Sequence, residues 1–272
     1  MQKNQQTGFG SIMIVITMMT GVSEIAVAQN GSFYVGAFVG AEHISFEHAK
    51  TVDNTGVPTD YLQSGNIYNT SASASESGFS TGFLVGYRPN LDLGISLGIG
   101  IEIDGQLHGG TASGTFPGDG QSINRIQYGE AWPDEWSVKR KNSYGATVVF
   151  RVSPSFVASL LGPGADIYVH GRVGRLNTDL TVNYYGCFNP LELCGPGEFD
   201  SGTDSHDETL YTLTVGGGLE KMIGNRLGIR GEVHHTQYGE EEWGAFSEEV
   251  ATVPISLDGS ETGFSVRTIL YF

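Results

Sequence analysis

The stretch LGISLGIGIEIDGQL, residues 93 to 107, is apolar at every odd position except Gly105 and carries only Gly, Ser, Glu, Asp or Gln at the even ones. Side chains that change sides at each residue belong to a β-strand. One face here is aliphatic, and the other is small, with Glu102 and Asp104 among its glycines. The same period returns in 32–42, 80–89, 144–152, 166–174, 211–220, 227–236 and 264–272, which makes eight segments. No helical period of comparable strength competes with it. Each segment has roughly the 9–11 residues that a tilted strand needs to cross a bilayer.

The connections alternate as well. Long polar stretches, about 43–77, 108–143, 177–208 and 238–262, follow the first, third, fifth and seventh segments. Shorter ones (PNLD, SPSFVASLLGPGA and MIGN) follow the others. Long loops at one end and short turns at the other predict an all-β fold, an eight-stranded antiparallel up-and-down transmembrane β-barrel with both termini at the short-turn end. Lys3, the apolar run 12–22 and AVA at 26–28 read as a secretory signal peptide over 1–28, leaving 29–272 for the barrel. Beyond it no apolar run approaches 18 residues, so a membrane can be crossed only by a closed sheet.

Alternation alone does not say which face meets lipid. A lipocalin is also an up-and-down barrel, with its apolar face inward and a polar exterior. Here the polar face is mostly Gly, Ser and Thr, too small to be a solvated exterior and suited to a narrow lumen. Its charges balance in a chain of net charge −16: Glu42, Glu102, Asp104, Glu220 and Glu232 against Arg88, Arg151, Arg172, Arg230 and Arg267. The expectation is a lumen ion-pair network, because an arginine facing mid-membrane lipid costs roughly 2–4 kcal/mol. Arg175 breaks the parity and is expected near the rim, and His235 at the membrane interface. The acidic balance excludes nucleic acid as a partner.

The segment TVGGGLEKMIGNRLGIRGEVHHTQYGE (214–240) has a Gly-rich strand, a tight turn and an Arg230-x-Glu232 pair before a T-x-Y-G end. It resembles the penultimate hairpin of the OmpA-like and opacity-type eight-stranded outer-membrane proteins, and STGFLVGYRP (80–89) resembles their second strand. An alphaproteobacterial subgroup of such surface proteins is nearest within that group. The resemblance implies a barrel in the outer membrane, in contact with membrane lipid and lipopolysaccharide. It also implies that Phe272 is the terminal signal read by the barrel-assembly machinery. No peptidoglycan-binding domain follows the last strand, so cell-wall anchoring is not carried over.

Cys187 and Cys194 are expected to form a disulfide, as an exported chain passes through an oxidising compartment. In FDSGTDSHDE (199–208), Asp200, Asp204 and Asp207 are weak candidates for a calcium site, without the twelve-residue EF-hand pattern. VHHTQ (233–237) is the place where a lipid-A-modifying barrel enzyme would need its nucleophile and histidine, but it offers no serine. Trp132, Trp136 and Trp243 fit interface anchors or partner contacts. The expected role is that of a monomeric, non-enzymatic scaffold without cofactor, acting in envelope structure or adhesion through surface loops that contact a host or envelope ligand. A lipid-A enzyme and a narrow channel are the alternatives.

Overall fold

Among the described residues no helix is long and apolar enough to cross a membrane, and in a sheet the backbone groups find their partners laterally between strands. The computed structural model describes residues 31–53, 55–56, 65–89, 97–115, 135–186, 200–247 and 252–272. The expected signal peptide, the Cys187–Cys194 bridge and Trp132 lie outside them.

The strands are β1 (Gly31–Asp53), β2 (Ile67–Pro89), β3 (Leu97–His108), β4 (Thr111–Thr115), β5 (Glu135–Val152), β6 (Ala165–Gly186), β7 (Asp200–Ile223), β8 (Leu227–Ser247) and β9 (Thr252–Tyr271). One short helix, α1 (Ser155–Leu161), joins β5 to β6. All belong to one antiparallel sheet, and β9 pairs with β1, with Val39 opposite Val266. That pairing, with the β3–β5 ladder, closes a transmembrane barrel, while β4, among the described residues, is paired on one side only, with β5. The described residues form nine strands where eight were expected: β4 lies in the expected 108–143 connection, and β3 and β4 both pair with β5. The break is Gly109–Gly110. Gly110 has φ 103°, and a Cβ on Gly109 would strike the Phe79 ring, so no larger residue fits there.

Outward positions form an aliphatic belt around the wall, including Val39, Phe79, Val85, Ile101, Ile103, Leu107, Val169, Val173, Leu213, Val215, Val233 and Phe264. Ile103 is 67% exposed, which in water would be a poor place for isoleucine and in hydrocarbon is a good one. The inward positions between them are buried.

The long connections are the main correction. Much of 43–77, 108–143, 177–208 and 238–262 is strand, not loop: β1 and β2 have 23 residues each and β7 has 24. That is about twice the span of a bilayer. In these extensions the alternation continues, shifted by one residue past a bulge in β5, but reverses its polarity. Ile44, Phe46, Trp136, Val138, Leu176, Leu180, Val182, Leu210 and Leu257 point inward and pack into one buried core. Ser45, Glu47, Ser137, Asp179, Asp207 and Asp258 lie on the opposite face. The reason is the change of solvent. Within lipid the exterior must be apolar, whereas beyond it the exterior meets water and the apolar groups move inside. A reading that looked for aliphatic outer faces therefore stopped where the lipid stops.

Small residues set the lumen width. A Cβ at Gly86 would fall inside the Tyr34 ring, and one at Gly82 would crowd Phe38, whereas Gly105 faces outward with nothing within 4 Å. Gly86→Val is expected to cost at least about 1–3 kcal/mol of overpacking and to deplete the compact, heat-modifiable band on detergent gels. Gly105→Val should leave that band unchanged.

Candidate functional site

Parity along β3, β6, β7, β8 and β9 sends acids and arginines into one lumen. Arg230 is fully buried and sits at its centre: Nη1 donates to Glu102 Oε1 at 2.8 Å, and Nε and Nη2 donate to Glu220 Oε2 at 3.1 and 3.0 Å. Arg151 Nε donates to the same Glu220 oxygen at 3.0 Å. Tyr34 donates to Glu102 at 2.9 Å, and Tyr271 donates to Glu220. The Arg230 guanidinium also stacks 4.7 Å from the Tyr168 ring centre.

Beside this layer, Arg172 grips Asp104 with two nitrogens, Nη2 to Oδ1 at 2.8 Å and Nε to Oδ2 at 2.9 Å. Such a fork is the strong geometry for a carboxylate. Arg267 Nη2 donates to Glu232, whose other oxygen accepts from Tyr168 at 2.9 Å. His170 Nε2 lies 3.2 Å from Glu232 Oε2, near enough for charge pairing but out of line for a hydrogen bond. A polar cavity of about 30 Å³ opens here between His170, His234, Arg172, Thr212 and Ser265, room for one or two waters.

A second ionic layer lies above the cavity. Arg140 pairs with Glu42 at 2.8 Å and with Glu261, and Tyr238 also donates to Glu261. His108 Nδ1 is 3.3 Å from Glu42, and its Nε2 is 2.9 Å from Ser143 Oγ. Glu42, His108 and Glu261 bring ligand-type atoms within 4.8 Å of one another, but Arg140 already supplies the counter-charge to both carboxylates. Beyond this layer the apolar core of the extension fills the lumen, with His48 in it. Its Nδ1 donates to the Ser256 carbonyl at 2.9 Å, and its ring meets Trp136 edge-on at 5.4 Å. Burial pushes the His48 imidazole down to about 4.

Of the ten residues expected in the lumen network, the lower layers contain Glu102, Asp104, Arg151, Arg172, Glu220, Arg230, Glu232 and Arg267, and the upper layer contains Glu42. Arg88 stands apart, half-buried at the short-turn rim against Gly98. Arg140, Glu261, His108, Tyr238, His170 and His234 complete the site and were not among the ten. Glu261 shares the parity of Ser265 and Arg267, so extending that strand would have found it. Arg140 could not be found that way. A bulge between Arg140 and Asn142 reverses the alternation of β5, turning Arg140 inward and Lys141 outward. Lys141 then pairs outside with Asp179 and, at 2.7 Å, with Asp207, and these carboxylates hold its ammonium above the ordinary lysine value.

The calcium candidates divide accordingly. Asp207 is bonded to Lys141 on the outer wall, and the side chains of Asp200 and Asp204 lie outside those described. Arg175 lies exposed on the outer wall, 4.9 Å from the Tyr211 ring centre, at the upper limit of the belt. His235 also faces outward, 3.0 Å from Thr262 Oγ1, and Thr236 is buried against Thr214. Phe272 follows β9, and its N–H donates to the Phe33 carbonyl at 2.9 Å.

No known family matches the chain, and no characterised protein matches it by sequence. Among solved structures it is similar to Neisserial surface protein A, at a TM-score of 0.36 and 12% identity over 88% of this chain and 97% of that one. It is similar to the outer membrane protease OmpT from Escherichia coli, at 0.40 and 7% over 92% and 99%. It is also similar to Ail, the attachment invasion locus protein of Yersinia pestis, at 0.24 and 14% over 82% and 98%. At TM-scores this low the likeness decides nothing about this chain.

Arg230→Met strands Glu102 and Glu220 without their main counter-charge, and urea unfolding in lipid vesicles should show a loss of about 3–5 kcal/mol. Adding Glu220→Gln should recover part of it. His48 supplies a pH dependence: neutral when folded and near 6.5 when free, it contributes fully above pH 6.5 and loses that contribution as the pH falls to about 4. The loss amounts to about 3 kcal/mol. Unfolding midpoints of His48→Phe relative to the unmutated chain should therefore rise as the pH is lowered from 7 to 4.

Proposed function

We propose that this chain is a sealed, non-enzymatic barrel of the bacterial outer membrane that acts through its outer end, in surface adhesion or envelope contact. β3 and β4 serve as one stave, so that the wall has eight. The short-turn end, with both termini, faces the periplasm, and the extended end faces outward. Phe272 at the close of β9 is read by the barrel-assembly machinery, and the protein works as a monomer surrounded by phospholipid and lipopolysaccharide.

One observation carries this reading: the polarity of the wall reverses along β1 and β6, from the belt at Val39 and Val173 to the core around Phe46 and Leu180. A wall that is apolar outside over one bilayer thickness and polar outside beyond it supports a fixed depth in lipid, with the extension standing in water. The extra ten or so residues per strand, at roughly 3.3 Å each, raise the tips well clear of the headgroups. The lumen does not suit transport, since arginine–carboxylate layers and an apolar core fill it in series. The lumen ion pairs serve as a rigid filling, and the tips at 54–66, 116–134, 187–199 and 248–251 are the interaction elements.

Two measurements test it. In planar bilayers the purified protein is expected to give no ohmic conductance steps, and regular steps would return the channel reading. Replacing 54–66 and 187–199 by short turns should keep the heat-modifiable barrel but reduce attachment of expressing cells to host cells or purified envelope components at least tenfold. Unchanged attachment would remove the adhesive role.

A further inference from the structure

Among the described residues, the turn between β5 and β6 is the short-end connection that carries a helix, and most of its large apolar side chains point away from the protein. Phe156 is 60% exposed, Leu160 80% and Leu161 48%. Phe156 and Leu160 are one helical turn apart and share a face. Val157 alone is buried against the barrel. Three large exposed side chains on a seven-residue helix are out of keeping with a turn that merely reverses the chain.

We infer that α1 is an interfacial anchor, lying in the phospholipid leaflet at the short-turn end with Phe156, Leu160 and Leu161 among the upper acyl carbons. This rests on the outer-membrane reading proposed above. Three observations select lipid as the occupant. The exposed face continues the belt, whose last outward positions on the adjoining strands are Val152 on β5 and Leu219 and Ile223 on β7, all exposed. Residues 153–164 carry no charge in a chain of net charge −16, so nothing in the turn resists entry. Two of the turn's three serine hydroxyls are engaged internally: Ser159 Oγ donates to the Ser155 carbonyl at 2.8 Å, and Ser153 Oγ donates to Asp166 at 2.5 Å.

The helix is also held in place. Pro154 starts it, its carbonyl accepting from Val157 and Ala158 at 3.0 and 3.2 Å. Gly162 and Gly164, at φ 83° and 79°, turn the chain back, with Pro163 between them. Lys221 Nζ of β7 donates to the Pro163 carbonyl at 2.7 Å, and Met222 N–H donates to the Gly164 carbonyl at 2.9 Å. Lys221 thereby places a cation beside the helix, where phosphate groups of the leaflet would lie. An apolar face with a lysine at its edge is the arrangement of a helix that lies in an interface.

Spin labels test this in the full chain, with Cys187 and Cys194 replaced by serine. Leu160→Cys, Ile103→Cys and Ser73→Cys are labelled singly and reconstituted into phosphatidylethanolamine–phosphatidylglycerol vesicles containing no other protein. Collision with oxygen and with a neutral nickel chelate is then read for each. The label at 160 is expected to resemble that at 103, with oxygen collisions favoured at least threefold over the position 73 reference. A label at 160 that meets the chelate as freely as the one at 73, while 103 stays shielded, overturns the anchor and leaves the barrel in the membrane. In that case the exposed face would belong to a protein partner. A chelate-accessible label at 103 overturns the membrane reading and the anchor together.

Discussion

The pairing of β1 with β9 is the constraint from which the rest follows. Once that ladder and the β3–β5 ladder close, the strands around the belt are paired on both sides, and their backbone donors and acceptors can be satisfied without water. Closure also gives each residue a permanent side. A two-residue slip would keep each side chain on its face, but a one-residue slip would put Arg230 and Glu102 into lipid and Ile229 and Ile101 into the lumen. Each strand is therefore held in register by the cost of exchanging its two faces.

Inside, charge must be balanced before it can be buried. Arg230, Glu102, Glu220 and Arg151 have given up water almost completely, and their mutual bonds replace it. Such a cluster adds less net stability than its distances suggest, because desolvation offsets much of the attraction. What it supplies is exclusivity. A misplaced strand would bury one of these charges alone, so the cluster disfavours wrong registers more than it strengthens the right one. The tyrosines Tyr34, Tyr168 and Tyr271 serve the same end, since each fills lumen volume and gives its hydroxyl proton to a carboxylate.

Two solvents act on one wall. Between Ala41 and Ile44 on β1, and between Arg172 and Leu176 on β6, the inward face changes from charged or small to aliphatic while the outward face changes the other way. The upper ionic layer of Arg140, Glu42, Glu261 and Tyr238 stands at this transition, where the lumen passes from polar filling to apolar core. The extended end is thus a water-type barrel joined to a lipid-type barrel through strands such as β1 and β6 that run through both.

By itself the sequence determined the strand period, the barrel class and the side taken by each belt residue, because these depend only on alternation and on the size and charge of neighbours along the chain. Ile101 and Ile103 outside with Glu102 and Asp104 inside could be read from fifteen letters. Its reach ended at the lipid boundary, since the extensions obey the same alternation with opposite polarity and look like polar loops to a reader seeking lipid faces. Only the tertiary structure decided which acid meets which arginine, as partners such as Arg140 and Glu261, 121 positions apart, are set by barrel radius and strand stagger. The bulge beside Lys141 was likewise out of reach, because it inverts the side of Arg140 without changing any residue type. Alternation is a local property of the chain and can be read locally, whereas the lumen is made where separate stretches of the chain converge.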